Sequence, residues 1–196
     1  MIEFFPYPFF AGCALLVLAG VFNWRRSHNR ARLVFLAWLG FYLLLAIRET
    51  LFPIYLGDGW RQPLSAIFSR INLRPFYFGG LFGLYPHIAR LEIFGNLLLT
   101  VPLGFLLPLV VRIRPRRLPW LLLAGGLSFE LGQLILNLVF GATSRSVDIN
   151  DVILNASGTL IGYGLFRLLA GAVRFAARRG RAAPQGLARH LLEMGG

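Results

Sequence analysis

The chain has 196 residues, 57% hydrophobic and 14% charged, with a mean hydropathy of +0.65. No water-soluble core of this length requires so large an apolar surplus, so a soluble globular domain is excluded and lipid is the expected solvent. The formal charge of +12 comes from basic residues that are all arginine, most of them beside the end of an apolar segment. That placement points to topology signalling and contact with anionic lipid, and argues against a nucleic-acid partner.

In chain order, the first apolar span is expected over about residues 4–22. Glu3 is the only acid before it, and Arg25, Arg26, Arg30 and Arg32 follow it, which reverses the charge order of a signal peptide. The segment is therefore read as a retained helix with its N-terminus outside. Cys13, the only cysteine, lies inside this span and allows no intramolecular disulfide. Further spans are expected over about 33–56, 91–111, 118–140 and 149–170, each near the roughly 20 residues that cross a hydrocarbon layer.

Segment 57–90 mixes Pro63, Pro75 and Pro86 with Trp60, Phe76, Tyr77, Phe78, Phe82 and Tyr85, a composition that predicts an interfacial or half-embedded element. Arg112, Arg114, Arg116 and Arg117 follow the third span; Arg174, Arg178, Arg179, Arg181 and Arg189 follow the fifth. Both clusters fall on the same side as Arg25 to Arg32, which positive-inside counting assigns to the cytoplasm. The expected architecture is an all-α polytopic membrane protein of about five transmembrane helices, N-out and C-in. It comprises one domain over 1–170 and a cytoplasmic arginine-rich tail over 171–196 whose end forms a short amphipathic turn or frays. His28, His87 and His190 fall in three different loops or tails without a second ligand at zinc spacing, so no histidine metal site is expected.

Charged side chains inside a bilayer are costly and call for burial, pairing or function. Glu130, Gln133 and Asn137 follow i, i+3, i+7 spacing in the fourth span, with Gly126 one turn before, and read as a polar stripe that opens outward. Asp148, Asp151 and Asn155 repeat that spacing at the start of the fifth, continuing through Gly158 or Thr159 to Gly162. Glu92 and Asn96 stand near the entrance of the third span, and Arg48 and Glu49 near the exit of the second. Four helices thus send polar residues to one half of the membrane, where convergence would form a pocket open to the outside or to the outer leaflet.

Quieter readings stand beside this one. Asp148 with Asp151 fits an N-cap and a first-turn acid. Asn96, Gln133, Asn137 and Asn155 fit interhelical hydrogen bonding, Gly158 and Gly162 fit close helix packing, and Arg48 with Glu49 fits a snorkelling pair. Glu130, at mid-span, is either protonated by burial, paired with an arginine such as Arg48 or Arg145, or in contact with water or a ligand.

Several of these residues carry a resemblance. Asn96 with Pro102, Leu103, Gly104 and Phe105, then Glu130 and Gln133, then Arg145, Asp148, Asp151, Asn155 and Gly158 stand in an order similar to the VanZ family. Thr50-Leu51-Phe52-Pro53 and Asn72-Leu73-Arg74-Pro75-Phe76 are also similar to its phrases, so the resemblance covers about 33–166; the Arg48–Glu49 pair departs from it. It implies a multi-pass protein of the bacterial cytoplasmic membrane, associated with low-level resistance to teicoplanin-type glycopeptides.

The polar cluster, together with what the resemblance implies, favours a non-transporting envelope protein that binds or modifies an anionic amphiphile at the outer leaflet, such as a lipid-linked cell-wall precursor or a phospholipid. Its candidate ligand set is Arg48, Glu49, Asn96, Glu130, Gln133, Arg145, Asp148, Asp151 and Asn155, with the arginines meeting phosphate and the acids orienting them or holding a divalent cation. Alternatives are a lipid-phosphate enzyme with Glu130 or Asp151 as general base, a proton-coupled carrier working through Glu130, and a packed structural cluster.

Overall fold

A chain in hydrocarbon must satisfy every backbone N–H and C=O internally, and long runs of leucine, alanine and phenylalanine do so as helices. The computed structural model describes residues 2–3, 7–27, 29–54, 61–78, 85–141, 145–180 and 185–195. Its helices are α1 (Tyr7–Ser27), α2 (Arg30–Leu51), α3 (Leu64–Phe68), α4 (Pro86–Val110), α5 (Leu118–Phe140), α6 (Ile149–Arg179) and α7 (Gly186–Gly195). Two short strands, β1 (Ile71–Asn72) and β2 (Val147–Asp148), complete the described elements. The expected span limits at Phe4 and Leu56, the rings Trp60 and Phe82, the start of the external segment at Gly57, and His28 and Arg181 lie outside the described residues.

By length and composition α2, α4, α5 and α6 can each cross a bilayer, and α1 contributes a shorter apolar stretch, Tyr7–Phe22. The protein is an all-α, multi-pass membrane protein. The span expected over 118–140 coincides with α5, while α2 stops at Leu51, short of the expected limit. Pro53 biases Phe52 to the extended backbone observed there (φ −121°, ψ 158°), which ends the helix. Conversely α6 runs past residue 170 to Arg179, because arginine and alanine favour helix as well as leucine does: charge ends the span but not the helix.

At the centre of the bundle is α6, packed between α4 and α5; α2 lies against both of these, and α1 packs on α2. Gly158 and Gly162 of α6 face the carbonyl oxygens of Leu97 and Val101, so α4 and α6 run parallel with their backbones in contact; a Cβ at either glycine would strike those oxygens. Between the same helices, Thr100 and Thr159 both donate to the Asn155 carbonyl, at 2.7 and 2.9 Å. The apolar core of Leu109, Leu121, Tyr163, Phe166, Ala170 and Leu191 lies toward the end where the three arginine clusters meet. Elsewhere large apolar side chains such as Leu15, Leu98, Leu138 and Leu168 face outward, as helices solvated by lipid require.

Toward the end of the tail, Gly186–Gly195 form a helix. This helix, α7, returns to the bundle, burying Leu191 in the core and His190 against the end of α4, with Nε2 2.7 Å from the Leu109 carbonyl. His190 also stacks on Phe35, and Arg174 donates to the Gly195 carbonyl at 2.8 Å.

Candidate functional site

The site begins where α5 ends. Gly141 takes the left-handed conformation (φ 63°) and donates its N–H to the Asn137 carbonyl, reversing the chain. The connection then runs back along α5: Asn137 Nδ2 donates to the Arg145 carbonyl at 2.8 Å, and the Asp148 N–H donates to Glu130 Oε2 at 2.9 Å. At about 1.5 Å of rise per residue, Glu130 lies about 15 Å along the axis from the end of α5. The α5–α6 connection is therefore re-entrant, and α6 starts deep in the bundle.

Irregular backbone at such depth must find protein partners. It finds them in the segment before α4, which also folds inward: β1 pairs in parallel with β2, Ile71 opposite Val147 and Asn72 opposite Asp148. Asn72 Nδ2 lies 3.0 Å from each Asp148 carboxylate oxygen and from the Tyr77 carbonyl. Asn150, only 2% exposed, accepts from the Phe76 N–H at 2.6 Å through Oδ1 and donates to the Tyr77 carbonyl at 2.8 Å through Nδ2. Phe76 adopts φ 61°, a left-handed backbone uncommon for residues other than glycine, and Asn150 holds it there. Asp148 caps α6 by accepting the Asn150 N–H at 2.8 Å, and Asp151 follows in the first turn.

Beside this α6 N-terminus lies a cleft of about 430 Å³, walled by Glu49 and Thr50 of α2, Glu92 and Asn96 of α4, Gln133 of α5, and Arg145, Ser146 and Asp151. An adjoining recess of about 240 Å³ shares Glu92, Ser146 and Asp151 and reaches Asn72, Tyr77, Asp148 and Asn150. Asn96 Nδ2 donates to Asp151 Oδ1 at 2.6 Å and so aims that carboxylate. Arg145 Nη2 donates to the carbonyls of Glu49 and Phe52, at 3.1 and 3.0 Å, satisfying oxygens that the end of α2 leaves open. Among the described residues no carboxylate lies within ion-pair distance of Arg145, and its Nε and Nη1 make no hydrogen bond. Gln133 donates to the Thr50 carbonyl at 3.3 Å, while its buried Oε1 has no donor.

Of the candidate residues, Glu49, Asn96, Gln133, Arg145 and Asp151 meet in the cleft, and Asp148 lines the adjoining recess. Arg48 pairs with Glu49 at 3.6 Å on the exposed rim and is not on the wall. Asn155, 1% exposed, is packed among α4 and α6 and has no donor for its Oδ1. Glu130, 3% exposed, is on neither wall, and among the described residues no guanidinium pairs with it. The Asp148 N–H has its oxygen, and Arg145 is drawn instead to the α2 carbonyls. At Glu130 and Asn137 the polar stripe of α5 is thus occupied by the returning connection, and only Gln133 of the three reaches the cleft.

Thr50, Glu92 and Ser146 line the cleft outside the candidate set, Asn72 was singled out only within the phrase 72–76 that carries the resemblance, and Asn150 was missed altogether. The only local signal is an asparagine two positions after the N-cap. Of the two candidate bases, Asp151 faces the cleft and Glu130 does not. Among the described residues, no group of three or more His, Cys, Asp or Glu is arranged to hold a metal ion.

No curated protein and no solved structure matches the chain. The family model described as VanZ/LLP1 matches residues 38–170, a stretch that includes every wall residue of the cleft, and the chain belongs to that family.

Proposed function

We propose that the cleft binds the headgroup of a phosphate-bearing amphiphile at the outer leaflet of the bacterial cytoplasmic membrane. The observation that carries this reading is Arg145: a guanidinium oriented by two α2 carbonyls through one nitrogen, with no carboxylate partner, on the wall of an open cleft. Guanidinium donors match phosphate oxygens in geometry and charge. The three carboxylates facing the same space, Glu49, Glu92 and Asp151, refine the ligand. A purely anionic headgroup would be repelled by them, so the favoured ligand is zwitterionic or arrives with a cation. The three arginine clusters at the opposite end support an orientation with the cleft outside. Glycopeptide tolerance, which the family resemblance implies, would then follow indirectly through the chemistry of the envelope surface.

The test is native mass spectrometry of protein gently extracted with its lipids, comparing the wild type with Arg145→Ala and with the Arg145→Ala, Asp151→Ala double variant. Loss of a specific phosphate-bearing lipid from folded variants is the expected result. Equal retention by all three would reduce the cluster to a structural role. An enzymatic reading rests on Asp151, the acid that Asn96 aims in the cleft. Turnover of the retained lipid by purified protein, abolished in Asp151→Asn, would establish it.

A further inference from the structure

At the end opposite the cleft, α7 does not seal the bundle. Among the described residues, recesses flank the start of α2: one of about 400 Å³ walled by Asn29, Arg30, Ala31, Arg189, His190 and Glu193, and another of about 280 Å³ walled by Arg32, Val110, Arg112 and Met194 with the same Asn29, His190 and Glu193. Four arginines therefore line the pair against one acid, and Glu193 is already engaged by Arg189 at 2.8 Å. Arg32, only partly buried, lines the second recess, and among the described residues its buried Nε has no acceptor. The N–H groups of Arg30 and Ala31 precede the first intrahelical bonds of α2, and the dipole of that 22-residue helix adds positive potential at the same place.

We propose that these recesses bind a phosphate-bearing anion, and that the phosphate is the headgroup of a membrane lipid. The chemistry of the site calls for phosphate: four arginines and the open N–H groups of Arg30 and Ala31 line the recesses, and their one carboxylate is already paired. The α2 surface calls for a lipid. Val34 and Trp38 follow Arg30 at successive turns on the same face and are 53% and 61% exposed, so an acyl chain can lie along them while the headgroup sits at Arg30. The site is separate from the cleft and shares no residue with it. Its occupant would bridge α2, α4 and α7, tying the C-terminal helix to the bundle.

The experiment is a thermal-unfolding titration of the full detergent-solubilised chain with phosphatidylglycerol, phosphatidylcholine or inorganic phosphate. The variants are Arg32→Gln, Arg112→Gln in the recess and Arg114→Gln, Arg116→Gln as a control with the same loss of charge at the same end. Wild type is expected to be stabilised by phosphatidylglycerol and not by phosphatidylcholine. The recess variant should bind about thirtyfold more weakly, the loss that two arginine contacts near a surface imply, while the control stays within about threefold.

Stabilisation by inorganic phosphate at comparable affinity would assign the site to free phosphate; its absence would assign it to lipid. Equal weakening in both double variants, or no response of the wild type, would overturn the proposal. If the recess variant does not fold, Arg30→Gln with Arg189→Gln, both exposed, reads the first recess in its place.

Discussion

Asn150 uses both ends of its amide to hold residues 76 and 77, which lie 74 and 73 positions earlier in the chain. Asn150→Ala would leave the Phe76 N–H without its partner and the Tyr77 carbonyl with Asn72 Nδ2 alone, at an expected cost of about 1–3 kcal/mol in a buried site. Asn150→Asp should not restore stability, because a carboxylate lacks the donor for Tyr77. Thermal unfolding in detergent checks both, and an unchanged midpoint for Asn150→Ala would contradict the assignment. The capping role of Asp148 was legible from its spacing to Asp151, since a cap is a local feature. Asn150 was not legible, because its partners arrive from another segment. For the same reason sequence left the partner of Glu130 open among water, ligand and arginine, and the structure supplies a backbone N–H.

At the level of helices, the contact between α4 and α6 depends on residues without a Cβ. Gly158→Ala would press a methyl group into the Leu97 carbonyl and Thr100 Oγ1, and the helices would have to separate; a loss of about 1–3 kcal/mol is expected. Gly164, on the same helix, has open space around it, so Gly164→Ala should be neutral or stabilising by up to about 1 kcal/mol. Unfolding of the two variants side by side separates packing from helix propensity, and equal effects would refute the close-approach argument. The helices themselves were legible, α5 to the residue, because hydropathy, prolines and Gly141 act locally. The re-entrant connection was not. A polar stripe on α5 looks the same from sequence whether it faces a ligand or a strand of its own chain.

For the molecule as a whole, charge is the basis of the proposed orientation. The ends of α1, α4 and α6 and the starts of α2 and α5 bring the arginine clusters to one end, which the positive-inside rule assigns to the cytoplasm. In a Cys13→Ala background, Gln62→Cys, exposed beside Gly141 at the end of α5, is expected to react with a membrane-impermeant thiol reagent in intact cells, and Arg116→Cys only after permeabilisation. The opposite pattern would invert the topology and with it the outward cleft.

By itself the sequence determined that the chain lives in lipid, how many apolar helices it makes, and which of their ends carry positive charge. Hydropathy and charge belong to segments, and no distant partner is needed to express them. Which polar residues share a cavity was decided only by tertiary structure. That outcome depends on how far two connections fold back into the bundle, and so on hydrogen bonds between residues far apart in the chain. The structure thereby drew Glu49, Glu92, Asn96, Gln133, Arg145 and Asp151 around one cleft, enclosed Glu130 and Asn155, and left Arg48 on the rim.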